Sequence, residues 1–304
     1  MTVKIIGAGL GRNGTMSTKV ALEKLGYRTY HMFELMSSPN CEEFINLWGL
    51  AYRLKWAGQT EAVKKILKRL IEDEGYDATL DHPACGFYKE LSEMYPEAIV
   101  LLNHRDNSEG YGKSVSTTIG VHMSHNWTFI GKWSFYFTHF FNSNPPRETE
   151  MQKHFFQFSN LKADDFNPEN FTNVAYLKVF YDYWLAKVEN EITADRLVKF
   201  NVKQGWKPIC DKVNIKLPEG SFPRVNDGDG FKKMMVRMKM THAFMLSWMI
   251  GPLYFMFLGK AFFALLAFVW ALVVHRIVYM MVRRDIQKTK DSMHTGFMSK
   301  EKKN

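Results

Sequence analysis

Three glycines at fixed spacing, Gly9, Gly11 and Gly14, lie in residues 3–26, VKIIGAGLGRNGTMSTKVALEKLG, between an apolar run and a helical pattern. A glycine turn that opens a helix aims several main-chain N–H groups at one point, and the helix N-terminus adds partial positive charge there. Such a turn suits the binding of a phosphate-like anion. Arg12 brings a full charge to it, and Asn13 and Thr15 bring side-chain donors. The spelling G-x-G-x-x-G also matches a dinucleotide fingerprint, which wants an acid about 20 residues further on for the ribose hydroxyls. Glu34 lies at that distance, but it follows Tyr30, His31, Met32 and Phe33 rather than a clear strand end. A nucleoside triphosphate loop wants a lysine and a hydroxyl residue after its last glycine. Gly14 is followed by Thr15 and Met16, so that lysine and the magnesium-binding hydroxyl after it are absent. The residues favour an anion cradle that works without a metal.

Two more polar clusters follow short apolar runs. Asp81, His82 and Pro83 end the run at 78–80, and Asn103, His104, Arg105 and Asp106 end the run at 98–102. A carboxylate beside an anion cradle is a candidate general base, and a guanidinium is a candidate phosphate ligand. Asp81 can equally cap the helix expected to begin near Pro83, and Arg105 can pair with Asp106 or Glu109. His31 is a second candidate base. His82 and His104 are weaker candidates, because a lone histidine at a strand end is more often a satisfied structural residue. Cys41, Cys85 and Cys210 are far apart, with no C-x-x-C and no metal-type spacing, which fits a reducing compartment.

The elements that must position these groups alternate. Strands are expected over 3–6, 78–80, 98–102 and 196–202, with a strand or extended loop over 27–32. Helices are expected over 15–25, across most of 41–74, and over 84–94, 109–118, 169–192 and 206–213. Strands alternating with helices argue for an α/β parallel sheet covered on both faces. Ligands of such sheets sit at the carboxyl ends of the strands. The glycine turn, Asp81 and Arg105 each follow an expected strand, so they should converge on one crevice. Residues 122–160 break the pattern with dense aromatics and read as an insertion or lid.

The 304 residues carry a net charge of +9. From residue 231 onward thirteen Lys and Arg stand against Asp285, Asp291 and Glu301, so the excess belongs to the tail. That placement argues against a nucleic-acid footprint on the folded body.

The blocks GAGLGRNGTMSTKVALEKLGY, YHMFE, DHPACGFYKELSEMYPEAIVLLNHRD, DRLVKFNVKQGWKPIC and FPRVND occur in this order over residues 3–227. Together they resemble the P-loop sulfotransferase family, in the branch found in fungi and invertebrates that includes the schistosome drug-activating sulfotransferases. The resemblance implies a P-loop-like fold. It also implies 3′-phosphoadenosine-5′-phosphosulfate (PAPS) as sulfuryl donor, no metal, and a hydroxyl or amine acceptor. It places Gly11, Arg12, Asn13, Gly14, Thr15 and Met16 on the loop that holds the 5′-phosphosulfate. Arg105 and Ser114 match the pair that holds the 3′-phosphate, Trp206 the residue near the adenine, and Asp81 the acceptor's base. Arg12 and Thr15 would stabilise charge on the transferring group. His31 would line the acceptor site.

Residues 241–281 are strongly apolar, with AFMLSWMIGPLYFMFL and AFFALLAFVWALVV separated by Gly259-Lys260. Both flanks are basic: Lys232, Lys233, Arg237 and Lys239 before, Arg283, Arg284, Lys288 and Lys290 after. Positive-inside logic then favours a helical membrane hairpin, with both flanks and the catalytic domain facing the cytosol. The expected organisation is a catalytic domain over 1–230, a membrane-anchoring segment over 231–285 and a basic tail over 286–304. A membrane tail with an aromatic lid would suit a small-molecule or lipid acceptor. Two alternatives stand beside the enzyme: a catalytically inactive nucleotide-binding membrane scaffold, and a nicotinamide-dependent oxidoreductase.

Overall fold

Five short buried strands form one parallel sheet: β1 Ile5–Gly7, β2 Thr29–Tyr30, β3 Ala78–Thr79, β4 Ile99–Asn103 and β5 Leu197–Phe200. They lie in the order β2-β3-β1-β4-β5, and every pairing is parallel. This computed structural model describes residues 2–126 and 168–225, with scattered positions between 236 and 284. The chain divides into two compact units. The first comprises Met1–Leu35, Asn40–Ser124 and Pro146–Gly228 and holds the sheet. The second comprises Met36–Pro39, His125–Pro145 and Asp229–Asn304.

Parallel strands buried on both faces read as nearly continuous apolar runs rather than alternating ones, as Ile5, Ile6, Val100, Leu101 and Leu102 do, all essentially inaccessible. Because side chains alternate across a strand, Ile5, Leu101 and Phe200 share one face. There they join Ala21 and Leu22 of α1 (Thr15–Lys24) and Ile209 and Cys210 of the helix Lys207–Val213 in one core cluster. The other face packs against α5 (Tyr88–Met94). Between β2 and β3 the chain forms α2 (Met32–Ser37), α3 (Cys41–Trp56) and α4 (Thr60–Leu67). The helix expected across 41–74 is broken at Gly58, whose φ of 71° ends one helix before the next begins. After β4 come α6 (Ser108–Ser116) and α7 (Ile119–Asn126), then α8 (Val174–Glu191) and, after β5, α9 (Lys207–Val213).

The connection leaving β1 runs toward β2 on one side, and the one leaving β4 runs toward β5 on the other. The adjacent strands β1 and β4 therefore open a crevice at their carboxyl ends, the usual ligand position in such sheets.

The α/β sheet with helices on both faces agrees with expectation; the membrane segment does not. No helix among the described residues is long and apolar enough to cross a membrane. A crossing needs about 20 apolar residues. The 18-residue helix Val174–Glu191 carries Lys178, Asp182, Lys187, Glu189 and Glu191. Between 241 and 281 only scattered positions are described. The expected hairpin, the membrane location and the cytosol-facing arrangement are corrected accordingly. The rest of 241–281 and the tail 286–304 lie outside the described residues. So does the expected lid, apart from 122–126, which belong to α7.

Candidate active site

The turn from β1 to α1 is pinned from below. Ala8 N–H donates to Leu101 O (2.9 Å), and Trp184 Nε1–H of α8 donates to Ala8 O (2.8 Å). Asn103 Nδ2 donates to Thr18 Oγ1 (2.8 Å), whose hydroxyl donates to Gly14 O (3.1 Å). Gly9 lies so close to β4 that a Cβ there would sit 2.6 Å from Asn103 N. Gly14 and Arg12 both take left-handed backbone, with φ of 77° and 69°. For arginine that conformation costs on the order of 1 kcal/mol, and such strain gathers at ligand-binding turns.

Asn13 is 2% exposed, and neither its Nδ2 nor its Oδ1 has a hydrogen-bond partner. Leaving a buried polar group unsatisfied costs about 1–3 kcal/mol. A phosphate-bearing ligand at the turn would accept from Nδ2, so the residues present fit that group. Met16 is buried in the first turn of α1.

At one end of the turn stands the carboxylate. Asp81 Oδ1 lies 2.6 Å from where a Gly11 Cβ would be, so only glycine leaves the carboxylate room. Asp81 Oδ2 is 3.0 Å from His31 Nε2, which is also 3.1 Å from Thr15 Oγ1. His31 Nδ1 accepts the N–H of Phe33 (3.1 Å). A nitrogen that accepts carries no proton, so the neutral ring has its hydrogen on Nε2 and directs it at Asp81 and Thr15. The sequence alone allowed Asp81 to be a helix cap. The turn Ala84–Phe87 instead has Pro83 at its N-cap and no side-chain cap bond.

Asp81 itself has a φ of 66°, so its loop must be held. Cys85 N–H donates to Asp81 O (2.8 Å), Tyr52 OH to Pro83 O (2.9 Å) and Lys55 Nζ to Gly86 O (2.7 Å). The last two come from α3, which thereby clamps the loop. Burial lowers the Lys55 pKa, against the opposing pull of Glu90. One turn along α1 from Thr15, the buried Lys19 pairs with Glu34 (3.0 Å). Thr15 with His31, and Lys19 with Glu34, are therefore stacked contacts fixing the 31–34 turn against α1. Glu34, the acid at nicotinamide distance, is committed to that pair.

At the other end stand two guanidinium groups. Arg105 Nη2 donates to Ser114 Oγ (3.1 Å), and Arg12 Nε donates to the same oxygen (3.4 Å). Arg105 Nε donates to Arg12 O (2.7 Å), and its main-chain N–H donates to Tyr181 OH (2.7 Å). Tyr181 stacks on Tyr111 at 4.2 Å between ring centres, and burial pushes its phenol up to about 12, so the hydroxyl stays neutral. The neighbouring acids are engaged elsewhere: Asp106 with Lys203 and Asn201, Glu109 with Lys178 and Lys113. Nine residues separate Arg105 and Ser114, and α6 brings them together. Asn107 Oδ1 caps that helix by accepting Gly110 N–H (2.7 Å).

The structure thus gathers Gly11, Arg12, Asn13, Gly14, Thr15, His31, Asp81, Arg105 and Ser114 around one turn. Trp206 is placed differently: buried in the core, it donates Nε1–H to Gly220 O (3.1 Å) and packs edge-on against Phe222. Sequence reasoning missed Tyr181, Trp184 and Thr18. The first two come from a helix far along the chain whose pattern says only that it is amphipathic. Among the described residues no group of three or more His, Cys, Asp or Glu is gathered as a metal would need.

A glycine turn at a helix N-terminus, with a carboxylate at one end and paired guanidinium groups at the other, has the charge and donors to hold an anion beside a candidate base. The sulfotransferase domain family matches residues 4–231. The chain is 28% identical over 233 residues to "Ava biosynthesis cluster protein M" of Aspergillus versicolor, covering 75% of this chain and 82% of that one. The family match, over nearly the whole sheet-bearing unit, sets aside the nicotinamide reading: the chain belongs to the sulfotransferase family and is a sulfotransferase enzyme.

Proposed function

We propose that this protein transfers the sulfuryl group of PAPS to a hydroxyl or amine of a small-molecule acceptor, by in-line attack with Asp81 as base. The catalytic domain is taken as residues 1–230. PAPS supplies an activated sulfuryl group, and the chain supplies position and charge. As the acceptor oxygen or nitrogen forms its bond to sulfur, its proton passes to Asp81 and the bond from sulfur to the donor's phosphate oxygen breaks. The desulfated nucleotide leaves with that electron pair.

The observation that carries this reading is the Asp81–His31–Thr15 contact. The carboxylate oxygens stand 2.6 Å from the Gly11 Cβ position and 3.0 Å from His31 Nε2. A base must lie within hydrogen-bond reach of the proton it takes, and this one borders the turn where the transferring group would be held. The His31 N–H orients the carboxylate. The Thr15 hydroxyl and the amides at the start of α1 face charge that develops on the transferring oxygens. The sulfuryl group carries less charge than a phosphoryl group, so a cation is less needed. Gly11, Asn13, Gly14 and Met16 shape the cradle, and Arg105 with Ser114 hold the nucleotide's second phosphate.

Asp81→Asn is the test. It should lower single-turnover transfer by roughly 10²- to 10⁴-fold, the range typical of general-base removal. Unchanged transfer would remove Asp81 as the base.

A further inference from the structure

The two charged ends of a PAPS-like donor are not alike, and the turn distinguishes them. A phosphomonoester carries a charge of about −1.5 to −2 at pH 7, whereas a phosphosulfate anhydride presents singly charged groups. Two guanidinium groups match the former, and main-chain amides with a hydroxyl suffice for the latter. Resemblance alone puts Arg12 with the phosphosulfate, because it sits in the glycine turn. Its side chain goes the other way. Arg12 Nε donates to Ser114 Oγ, the same oxygen that accepts from Arg105 Nη2. The left-handed backbone at Arg12 turns its carbonyl to Arg105 Nε as well. Ser114 Oγ can accept two hydrogen bonds and donate one. Both acceptor positions face guanidinium groups, which leaves its O–H to donate to an anion.

We propose that Arg12 is a specificity residue for the donor's 3′-phosphate, acting beside Arg105 and Ser114, rather than a stabiliser of the transferring sulfuryl group. The glycine turn then reads both ends of the donor. Its amides and Thr15 face the reacting end, and its one arginine reaches back to the ribose-linked phosphate. That second contact selects a 3′-phosphorylated nucleotide over one without the 3′-phosphate. This rests on PAPS being the donor.

The test is titration calorimetry of the full chain with 3′,5′-adenosine bisphosphate and with 5′-AMP. The wild type should prefer the bisphosphate by about a hundredfold or more, as charge-assisted contacts to one phosphate imply. Arg12→Gly suits the left-handed backbone and should fold. It should weaken bisphosphate binding on the order of ten- to a hundredfold while leaving 5′-AMP within about threefold. Arg12→Lys keeps the charge without the planar fork and should retain part of the preference. Equal weakening of both nucleotides by Arg12→Gly would overturn the proposal and return Arg12 to the 5′ end. A wild type that binds neither nucleotide would instead defeat the PAPS reading itself.

Discussion

The two ends of the glycine turn are built by different means. At the carboxylate end the groups are few and tightly referenced to one another. Asp81 meets His31, His31 meets Thr15, and the Phe33 N–H fixes the imidazole tautomer. The supports are local to that side of the sheet: α3 holds the Asp81 loop through Tyr52 and Lys55, and Lys19 holds the 31–34 turn through Glu34. At the guanidinium end the groups are charged, longer and anchored from afar. Arg105 hangs on Tyr181 of α8, and Trp184 of the same helix holds the start of the turn. In the proposed function, one end orients a proton transfer and the other holds a dianion. Orientation needs short contacts that fix angles, and holding needs charge whose exact angle matters less. Changes at the first end should therefore appear in the rate, and changes at the second in affinity.

The largest effect on affinity should come from Arg105→Ala, which removes contacts to Ser114 and Arg12. Binding of 3′,5′-adenosine bisphosphate should weaken on the order of ten- to a hundredfold by calorimetry. A loss confined to the transfer rate would break the distinction. His31→Gln keeps a polar side chain but loses the fixed tautomer. Single-turnover transfer should drop about tenfold or more, with nucleotide affinity unchanged, because small misplacements of a catalytic group are costly. Gly11→Ala sharpens the same point. The added methyl would meet only the end of the Asp81 side chain. Stability should therefore change by about 1 kcal/mol or less, while transfer falls several-fold because the carboxylate must turn away. Smallest is Tyr181→Phe, which leaves the Arg105 N–H without its acceptor. A cost of about 1 kcal/mol should lower the melting temperature by a few degrees, with little change in rate.

Much of this was legible in the sequence because it lay at strand ends. The glycine turn, Asp81 and Arg105 each follow an apolar run, and a parallel sheet brings such positions together whatever the intervening lengths. Asp81 as base or cap could not be decided from residue types, since both roles use the same carboxylate. The distance to His31 and the uncapped turn at Ala84–Phe87 decide its surroundings. Arg12 was legible as a charged group on the glycine turn, but its direction was not, because the positive φ beside its contact with Ser114 leaves no sequence signal in arginine. Trp206 stood in a recognisable block, yet its indole N–H is spent on Gly220 within the core. Tyr181 and Trp184 were illegible: helix periodicity marks a buried face without saying which hydroxyl or N–H on it meets a distant loop. In the tail, summed hydropathy led to a membrane expectation that no helix among the described residues is long and apolar enough to meet.

The most direct test is a double-mutant cycle of Asp81→Asn and Arg105→Ala, with bisphosphate affinity and single-turnover transfer measured on all four proteins. If one end reacts and the other holds, each single change moves only its own quantity. The double mutant then shows both losses, with coupling below about 0.5 kcal/mol. Asp81→Asn weakening the nucleotide as much as Arg105→Ala does, or a coupling of several times that size, would contradict the division of the site into two ends.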